Sequence, residues 1–363
     1  MIINRLKLKN FRNYDSLDIT FNNKLNIIIG NNAQGKTNIL EAIYFLSITK
    51  SNLAMNDKSC IKKDKLSSKL EASIEDKIGE KNISIVLNNI GKKLTVNSNE
   101  IKKHSEYIGN LKVVIFNPDD VRLIKEAPGN RRKFLNIEIS QLYNSYINIL
   151  NEYNVILKQR NEYLKIIKNK PINNLYLDIV NNKLADLAES IYKYRIDFIN
   201  EINKYIGDIY FNIAGNEGLK LKYLPNIDIS DDIKKDLLNK LENNLEKEIL
   251  YGNTLYGPHR DDFLLVLNDS DLITYGSQGQ QKMSILALKL AEINVFYNIC
   301  DDYPVVLLDD LFSELDIIKR NKVITYLKDN VQAIITTTDL KNINKRLIKN
   351  ATVFTVENGK IVY

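Results

Sequence analysis

Gly30-Asn31-Asn32-Ala33-Gln34-Gly35-Lys36-Thr37 is the stretch that decides the fold, because it fits the phosphate-loop pattern G-x-x-x-x-G-K-[ST]. Residues 25–29 before it, Leu-Asn-Ile-Ile-Ile, are typical of a short buried strand, and residues 38–46 after it carry apolar side chains at helical spacing. A strand, a glycine loop and a helix in this order are the context that the pattern requires. The sequence therefore predicts a nucleotide site. The alternative is a chance glycine turn before an ordinary helix.

The loop also predicts individual contacts to ATP and Mg²⁺. Its glycines let successive backbone N–H groups and the helix N-terminus face the phosphates. We expect Lys36 to reach the β- and γ-phosphates, and the Thr37 hydroxyl to ligate Mg²⁺. The predicted cofactor-binding residues of the loop are Gly30, Asn31, Asn32, Ala33, Gln34, Gly35, Lys36, Thr37 and Asn38.

Composition indicates a folded protein without membrane segments. The chain has 363 residues, of which 44% are hydrophobic and 26% charged, and a mild formal net charge of +6. Cys60 and Cys300 lie far apart without metal-ligand spacing, so we expect them to be reduced. No apolar run approaches the roughly 20 residues that cross a bilayer, and the first residues lack a signal-peptide pattern. We therefore expect a cytoplasmic protein with no membrane partner.

The middle of the chain changes from strand to helix periodicity. Strands are predicted near both ends, at residues 17–21, 83–87, 112–116, 263–267, 304–308, 331–336 and 351–356. From Leu135 to Ile167 apolar residues step by 4 and 3, a seam that only Arg160 interrupts, and a second seam runs from Leu177 to Phe198. These seams predict an antiparallel helical hairpin with arms of about 50 Å. The alternative is two amphipathic helices in a globular helical lobe, with their aromatic side chains in the core.

Two carboxylates follow a buried strand near the other end of the chain. Residues 305–308 are Val-Val-Leu-Leu, and Asp309 and Asp310 come directly after them. A parallel strand beside the loop strand would deliver Asp309 to the Mg²⁺ held by Thr37. Asp310 would then orient or deprotonate the attacking water. The alternative is a strand that ends in solvated aspartates.

Three further segments resemble motifs of the ABC ATPases. Ser277-Gln278-Gly279-Gln280-Gln281-Lys282 opens a helix and resembles the signature motif, although Gly276 replaces the usual leading Leu. The run Ser313-Glu314-Leu315-Asp316 resembles the D-loop. Thr338 follows a strand at the position of the switch histidine, so that a hydroxyl would have to sense the γ-phosphate.

The chain as a whole resembles the RecF family, bacterial DNA replication and repair ATPases that are small relatives of the SMC proteins. The resemblance runs nearly from end to end. Besides the phosphate loop, the signature segment and the Asp309-Asp310 run, it is carried by Leu-Lys-Asn-Phe-Arg-Asn-Tyr at 8–14, Phe-Asn-Pro-Asp-Asp at 116–120, Pro-Gly-Asn-Arg-Arg at 128–132, Tyr-Gly-Pro-His-Arg-Asp-Asp at 256–262 and Thr-Thr-Thr-Asp at 336–339.

The resemblance implies an α/β fold, a P-loop ABC-type ATPase head with a second, helical lobe. Residues 1–116 and 301–363 would form the ATPase lobe. Residues 117–300 would form the helical lobe, with the short hairpin at about 131–205 and the signature segment at 277–282. By the same resemblance Ser277 would touch the γ-phosphate held by another copy, so that ATP would close a homodimer on DNA. Weak, DNA-stimulated ATP hydrolysis would then release the DNA.

The resemblance also implies partners and a pathway. Family members act at gapped or single-strand/double-strand junction DNA with RecO and RecR, help to load RecA, and support replication restart and SOS induction. The competing functions are an ABC-type subunit that powers membrane transport and an SMC-like ATPase of another DNA-processing system.

The motifs and the resemblance together assign the remaining candidate residues. The predicted catalytic residues are Asp310, Lys36, Ser277 and Thr338, the metal ligands are Thr37 and Asp309, and the further nucleotide contacts are Arg12, Ser277, Gly279 and Gln280. For Arg12 the alternative is a structural surface arginine. The basic cluster at a helix start, Arg131, Arg132 and Lys133, is the predicted DNA contact, against the alternative of a solvated face. We expect DNA binding with little sequence preference.

Overall fold

The structure is a computed structural model, which describes residues 1–168, 171–311, 315–328, 331–338, 340, 349 and 351–362. The chain divides into two compact units. Unit 1 comprises Met1–Val121, Asp208–Asn216 and Ile285–Tyr363, and unit 2 comprises Arg122–Gly207 and Glu217–Ser284. The two ends of the chain therefore share one unit, and the sequence of the other unit is inserted between them.

The helices and strands follow in chain order. The first are β1 (Ile2–Phe11), β2 (Tyr14–Thr20), β3 (Leu25–Ile29), α1 (Lys36–Ile48), β4 (Ser67–Asp76), β5 (Gly79–Asn88), β6 (Lys92–Val96), β7 (Asn99–Ile101), α2 (His104–Tyr107) and β8 (Val113–Phe116), with 3₁₀ turns at Asp57–Cys60 and Pro118–Val121. The next are α3 (Arg122–Lys125), α4 (Pro128–Leu142), α5 (Asn144–Ile167), α6 (Asn174–Asn203), α7 (Ile206–Ala214), β9 (Leu219–Leu224), α8 (Ile233–Asn243), α9 (Leu245–Tyr251), β10 (Asp262–Leu267), β11 (Ser270–Asp271) and α10 (Gln278–Cys300). The last are β12 (Val305–Leu308), α11 (Ile317–Lys328), β13 (Ala333–Thr337), β14 (Thr352–Glu357) and β15 (Lys360–Val362).

Unit 1 contains two sheets with helix α1 packed against both. One sheet is antiparallel, in the order β2-β1-β4-β5-β6-β7, and buries one face while its alternate side chains face solvent. The other runs β15-β14-β3-β13-β12-β8 and is parallel except for the β14–β15 hairpin. Helix α1 contacts β1, β4 and β5 of the first sheet and β8 and β13 of the second. Because both sides of this helix are covered, it is buried at nearly every position.

The strand order corrects one prediction about the site. Asp309 was expected at the end of a strand beside the phosphate-loop strand β3. The structure instead places β13 between them, because β13 pairs with β3 on one side and with β12 on the other. The side chains at the end of β13 therefore lie between the phosphate loop and the Asp309-Asp310 pair.

The predicted lobe boundaries lie after residues 116 and 300. In the structure, unit 1 extends to Val121 and continues from Ile285. Residues 285–300 of α10 belong to unit 1, where Asn294 Nδ2 donates to Tyr326 Oη at 2.5 Å. Residues 208–216 also belong to unit 1, where Lys322 Nζ donates to the Asn212 carbonyl at 2.7 Å. Helical periodicity predicts that a segment buries one face, and it does not say against which core.

Unit 2 contains the predicted helical hairpin in altered form. Helices α5 and α6 pack against each other, and the Asn173 side chain caps α6 by accepting the Tyr176 N–H. The first arm is not continuous, because Tyr143 is extended at φ −135° and separates α4 from α5. At about 1.5 Å per residue the arms are roughly 36 and 45 Å long, shorter than the expected 50 Å. Unit 2 also has an antiparallel sheet in the order β11-β10-β9, so it is not purely helical.

A buried ion pair explains why Arg160 can interrupt the first apolar seam. Arg160 is fully buried, and its Nη2 lies 2.6 Å from Glu248 Oε2 of α9, which is also fully buried. Its Nε donates to Asn181 Oδ1 at 2.6 Å and its Nη1 donates to Thr254 Oγ1 at 2.8 Å. A buried guanidinium is tolerated when it is paired and hydrogen-bonded in this way.

One helix among the described residues is long and apolar enough to span a membrane by composition alone. This is α10, and 72% of its most apolar window is buried inside the protein. Such burial is typical of the core helix of a folded domain, which passes the same test as a membrane span.

Candidate nucleotide site

The phosphate loop connects β3 to α1, as the sequence predicts. Gly35 precedes the helix with a φ of +110°, a conformation that glycine adopts readily. A Cβ at Gly35 would lie 2.5 Å from Asn13 Nδ2, and a Cβ at Gly30 would lie 2.4 Å from the Val356 carbonyl oxygen. Both glycines are therefore required by the close packing of the loop against its neighbours.

Two hairpin turns hold the outside of the loop. From the β1–β2 turn, Asn13 Nδ2 donates to the Gln34 carbonyl at 3.1 Å, and Asn13 Oδ1 accepts from Asn38 Nδ2 at 2.8 Å. From the β14–β15 turn, the Gly359 N–H donates to the same Gln34 carbonyl at 3.1 Å. The loop is thus fixed by segments from both ends of the chain.

Lys36 lies over the loop with its ammonium group inside the curve. Its Nζ donates to the carbonyls of Gly30 at 2.6 Å and Asn31 at 2.9 Å. Burial lowers the pKa of Lys36, while the charges of Asp310 and Asp309 oppose that shift. A phosphate group would add negative charge beside this buried ammonium and favour its protonated form.

Thr37 and Asp309 meet although 272 positions separate them in sequence. The Thr37 hydroxyl donates to Asp309 Oδ1 at 2.9 Å. Asp309 is 7% exposed, and burial raises the pKa of its carboxyl group, against the hydrogen bonds from Thr336 and Thr37, which lower it. The convergence predicted from the sequence is therefore present within unit 1.

A residue that sequence reasoning missed, Thr336 at the end of β13, completes this arrangement. Its fully buried hydroxyl lies 2.7 Å from Asp309 Oδ1 and accepts the Asp310 N–H at 3.0 Å. The hydroxyl has one proton, and Asp309 Oδ1 at 2.7 Å is a nearer acceptor for it than the Leu308 carbonyl at 3.4 Å. The signal for it in the sequence is the threonine run 336–338, whose hydroxyls have no spacing that singles out Thr336.

The donor set fits Mg²⁺ and the loop fits a polyphosphate. A hydroxyl oxygen and a carboxylate oxygen within 2.9 Å of each other are hard ligands suited to Mg²⁺, which usually takes one or two protein ligands and completes its shell with phosphates and water. Within the described ranges, no group of three or more His, Cys, Asp or Glu side chains could hold a metal ion. The cation would therefore share its shell with the nucleotide.

Asp310 and Thr338 lie beyond the ends of β12 and β13. Asp310 has a φ of +44°, in the left-handed region that non-glycine residues seldom adopt, and its side chain is half-buried. Thr338 is exposed directly after β13. Their catalytic roles stay predictions. Phe312, Ser313, Glu314 and Asp339, which carried part of the resemblance, lie outside the described residues.

Arg12 has a structural partner in unit 1. Its guanidinium makes a bidentate ion pair with the Glu41 carboxylate of α1, with Nε 2.7 Å from Oε2 and Nη2 2.5 Å from Oε1. Its Nη1 also donates to the Ser59 carbonyl at 3.2 Å. These contacts are those of the structural alternative, and a contact of Arg12 with nucleotide stays a prediction.

The signature segment belongs to unit 2 and opens α10 with a capping box. Ser277 Oγ accepts the Gln280 N–H at 3.2 Å, and Gln280 Oε1 accepts the Ser277 N–H at 2.8 Å. Ser277 and Gly279 are exposed. A Cβ at Gly276 would lie 2.6 Å from the Leu272 carbonyl, so this backbone has no space for the leucine usual in the ABC motif.

Burial removes Arg131 from the predicted DNA contact at the start of α4, and a contact through Lys133 stays a prediction. Arg131 is only 4% exposed, and its Nε and Nη2 fork Asp262 at 2.5 and 2.9 Å. Its Nη1 donates to the carbonyls of Leu123, Ile124 and Glu126, so the guanidinium is committed within unit 2. Arg132 donates to the Asp261 carbonyl at 2.7 Å, and only Lys133 of the three is exposed.

Comparison with known proteins identifies the family. A model described as the RecF/RecN/SMC N terminal domain matches residues 2–362. The chain is 41% identical over 367 residues to the DNA replication and repair protein RecF of Listeria monocytogenes, with 99% of both chains covered. The chain belongs to the RecF family. The RecF of Clostridium perfringens is 40% identical over 363 residues, again with 99% of both covered.

Solved structures agree with membership in the RecF family. The recombination mediator protein RecF-ATPrS of the RecFOR pathway superposes with a TM-score of 0.90 at 31% identity, covering 99% of this chain and 97% of that one. A RecF-ATP structure gives a TM-score of 0.91 at the same identity, with 99% and 96% covered. An Smc head domain from Pyrococcus furiosus gives 0.56 at 16% identity, with 99% and 95% covered, which shows a shared fold alone.

Proposed function

We propose that the protein is an ATP-dependent DNA-binding protein of recombinational repair and replication restart. Its ATP-bound homodimer engages gapped or junction DNA with little sequence preference, and weak, DNA-stimulated ATP hydrolysis acts as the release switch. The observation that carries the proposal is the 2.9 Å contact between Thr37 and Asp309, which assembles a phosphate loop and a carboxylate from opposite ends of the chain. Two related RecF structures, described as RecF-ATP and RecF-ATPrS in the RecFOR pathway, support ATP as the cofactor.

Unit 1 supplies the groups for nucleotide binding and hydrolysis. The backbone of residues 30–38 holds the phosphates, and Lys36 exchanges its loop carbonyls for phosphate oxygens. Thr37 and Asp309 would hold Mg²⁺, which when bound neutralises negative charge on the β- and γ-phosphates. Asp310 orients the attacking water and Thr338 senses the γ-phosphate. In this proposal unit 1 is the ATPase lobe.

Unit 2 supplies the group that covers the nucleotide of a second copy. The capping box leaves Ser277 exposed at the start of a 23-residue helix, where the helix dipole favours an anion. Ser277, Gly279 and Gln280 would contact the γ-phosphate held by the partner copy, so that ATP closes the homodimer. By family membership the dimer works with RecO and RecR to load RecA, and it acts in the cytoplasm.

Light scattering tests the proposed switch directly. The wild type and an Asp310→Asn variant are sized with and without ATP and Mg²⁺, in the presence of gapped DNA. The substituted amide keeps the shape of the side chain but cannot act as a base, so we expect a longer-lived ATP dimer that retains DNA. A variant that hydrolyses ATP at the wild-type rate, or a protein that stays monomeric with ATP, would contradict the proposal.

A Ser277→Arg variant tests whether the site is shared between two copies. The bulky cation blocks the exposed helix start, so ATP binding should be unchanged while ATP-dependent dimerisation is lost. Ser277→Ala is the matched control, because it removes the cap of α10, worth about 1 kcal/mol, without adding bulk. If Ser277→Arg dimerises normally with ATP, the nucleotide site is contained within one copy.

A further inference from the structure

A lysine-rich segment of unit 1 lies next to the phosphate loop and has no role in the site described above. Residues 58–69 contain five lysines and one aspartate, a net charge of +4. We define the lysine patch as Lys62, Lys63 and Lys65 of this segment together with Lys360 of β15. Lys63, Lys65 and Lys360 are exposed.

Backbone contacts fix the segment against the β1–β2 turn. The Arg12 N–H donates to the Cys60 carbonyl at 2.8 Å, and the Lys62 N–H donates to the Asn10 carbonyl at 2.9 Å. The Lys65 N–H donates to the Lys62 carbonyl at 3.1 Å, which closes a tight turn. The lysines therefore project from a backbone that is tied to the hairpin.

The lysines share one neighbouring carboxylate. Lys62 Nζ lies 2.7 Å from Asp15 Oδ2. The Lys62 hydrogen bond first, and then the charges of Lys62, Lys65 and Lys360, lower the pKa of Asp15. Strand β15, which carries Lys360, also contacts β2, the strand that carries Asp15, so segments 58–69 and 360–362 both lie beside this carboxylate. With Asp15 and Asp64 included, the patch keeps an excess of two positive charges.

We propose that the lysine patch binds the sugar-phosphate backbone of DNA. Lysine ammonium groups on flexible stems act as point charges, which suits a repeating chain of phosphates better than one planar carboxylate partner. The inference rests on the proposed function, which supplies DNA as the ligand. It gives the DNA a different contact surface from Arg131, whose guanidinium is committed to Asp262.

The same contacts connect the patch to the nucleotide loop. Lys62 Nζ donates to the Asn13 carbonyl at 3.1 Å, and the Asn13 side chain holds Gln34 and Asn38 of the loop. A DNA phosphate that draws Lys62 away changes how the hairpin holds the loop. Because such coupling is reciprocal, nucleotide binding changes DNA affinity by the same factor as DNA changes nucleotide affinity.

The test compares two matched double variants of the full chain. Lys63→Gln/Lys65→Gln removes patch charge and leaves Lys62, the residue next to the loop, in place. Lys102→Gln/Lys103→Gln removes two exposed lysines from another part of unit 1 and is the control. DNA binding is measured by fluorescence anisotropy with gapped duplex and ATP over a series of KCl concentrations, and nucleotide binding is measured with a fluorescent ATP analogue.

We expect the patch variant to lose about two phosphate contacts. The slope of log K against log[salt] then falls in magnitude by roughly 2, and affinity near 0.1 M salt drops about ten-fold or more. Stimulation of ATP hydrolysis by DNA falls in parallel, whereas nucleotide binding without DNA stays at the wild-type level. The control variant keeps the wild-type slope.

The outcomes separate this inference from the proposed function. If the wild type binds DNA and the patch variant keeps its affinity and slope, the patch is not the contact and the proposed function stands. Equal losses in the patch and control variants would also overturn the inference, since net charge alone would explain them. If the wild type binds no DNA in any nucleotide state, both proposals fail.

Discussion

Replacing Thr336 by valine should weaken Mg²⁺ binding without disturbing the fold of the site. Valine keeps the branched shape that the fully buried strand position accepts, and it removes only the hydroxyl. That hydroxyl donates to Asp309 at 2.7 Å and accepts the Asp310 N–H at 3.0 Å. The change therefore leaves Thr37 as the remaining hydroxyl donor to Asp309 Oδ1 and removes the acceptor of the Asp310 N–H.

The size of the effect follows from these two bonds. A hydrogen bond to a charged group contributes about 1.5–3 kcal/mol to stability, so the free energy of unfolding should fall by an amount in that range. Groups that orient a metal ligand typically change metal affinity about 10- to 100-fold when removed. The hydroxyl also lowers the pKa of Asp309, so Mg²⁺ binding in the variant should be lost at a higher pH on acidification.

The assay titrates Mg²⁺ into protein with a fluorescent ATP analogue and follows hydrolysis in parallel. Thr336→Val should raise the Mg²⁺ concentration needed for half-maximal hydrolysis at least about ten-fold, with nucleotide binding in EDTA unchanged. Thr336→Ser keeps a hydroxyl and should restore the wild-type Mg²⁺ requirement. The reasoning is refuted if the valine variant needs no more Mg²⁺ than the wild type. It is also refuted if the valine and serine variants need the same raised Mg²⁺ concentration.

Two other perturbations give equally direct expectations. Lys36→Met should abolish ATP binding measured by equilibrium titration, because it deletes the buried ammonium over the loop; retained affinity would mean that the phosphates lie elsewhere. Burial lowers the pKa of His259 from 6.5 to about 4, so the unfolded chain binds that proton more readily. The contribution of neutral His259 to the free energy of unfolding is therefore fully present above pH 6.5. The free energy of unfolding falls by about 3 kcal/mol as the pH drops to about 4. Urea unfolding should show a smaller fall over that window in His259→Gln than in the wild type.

The sequence predicted the phosphate loop because its geometry depends on local chemistry. A glycine loop between a strand and a helix specifies its own geometry, and Gly30 and Gly35 have the tight contacts that the pattern demands. The meeting of Thr37 and Asp309 followed from the rule that parallel strands end at one edge of a sheet. The strand between them could not be predicted, since apolar runs do not encode the order of strands.

The burial of two arginines could not be predicted, for a different physical reason. The basic cluster favours a surface position for Arg131, because arginine is seldom buried, and the apolar seam gives no sign of a partner for Arg160. Each is buried because a carboxylate far along the chain, Asp262 or Glu248, reaches it in unit 2. A run of basic residues predicts net charge, whereas the positions of the partner carboxylates decide which side chain can meet a phosphate. The lysine patch differs because Lys63, Lys65 and Lys360 are exposed, while Lys62 pairs with Asp15.

The position of Thr336 explains why the strand order matters for the chemistry. Since β13 lies between β3 and β12, a hydroxyl at its end can hold Asp309 and the backbone of Asp310 at once. Thr338 lies two residues further along the chain, directly after the strand. A γ-phosphate that contacts Thr338 would therefore act on the end of the strand that orients both aspartates. We therefore expect β13 to couple a nucleotide contact at Thr338 to the positions of Asp309 and Asp310, and the serine rescue of Thr336→Val tests the part of that coupling made by the Thr336 hydroxyl.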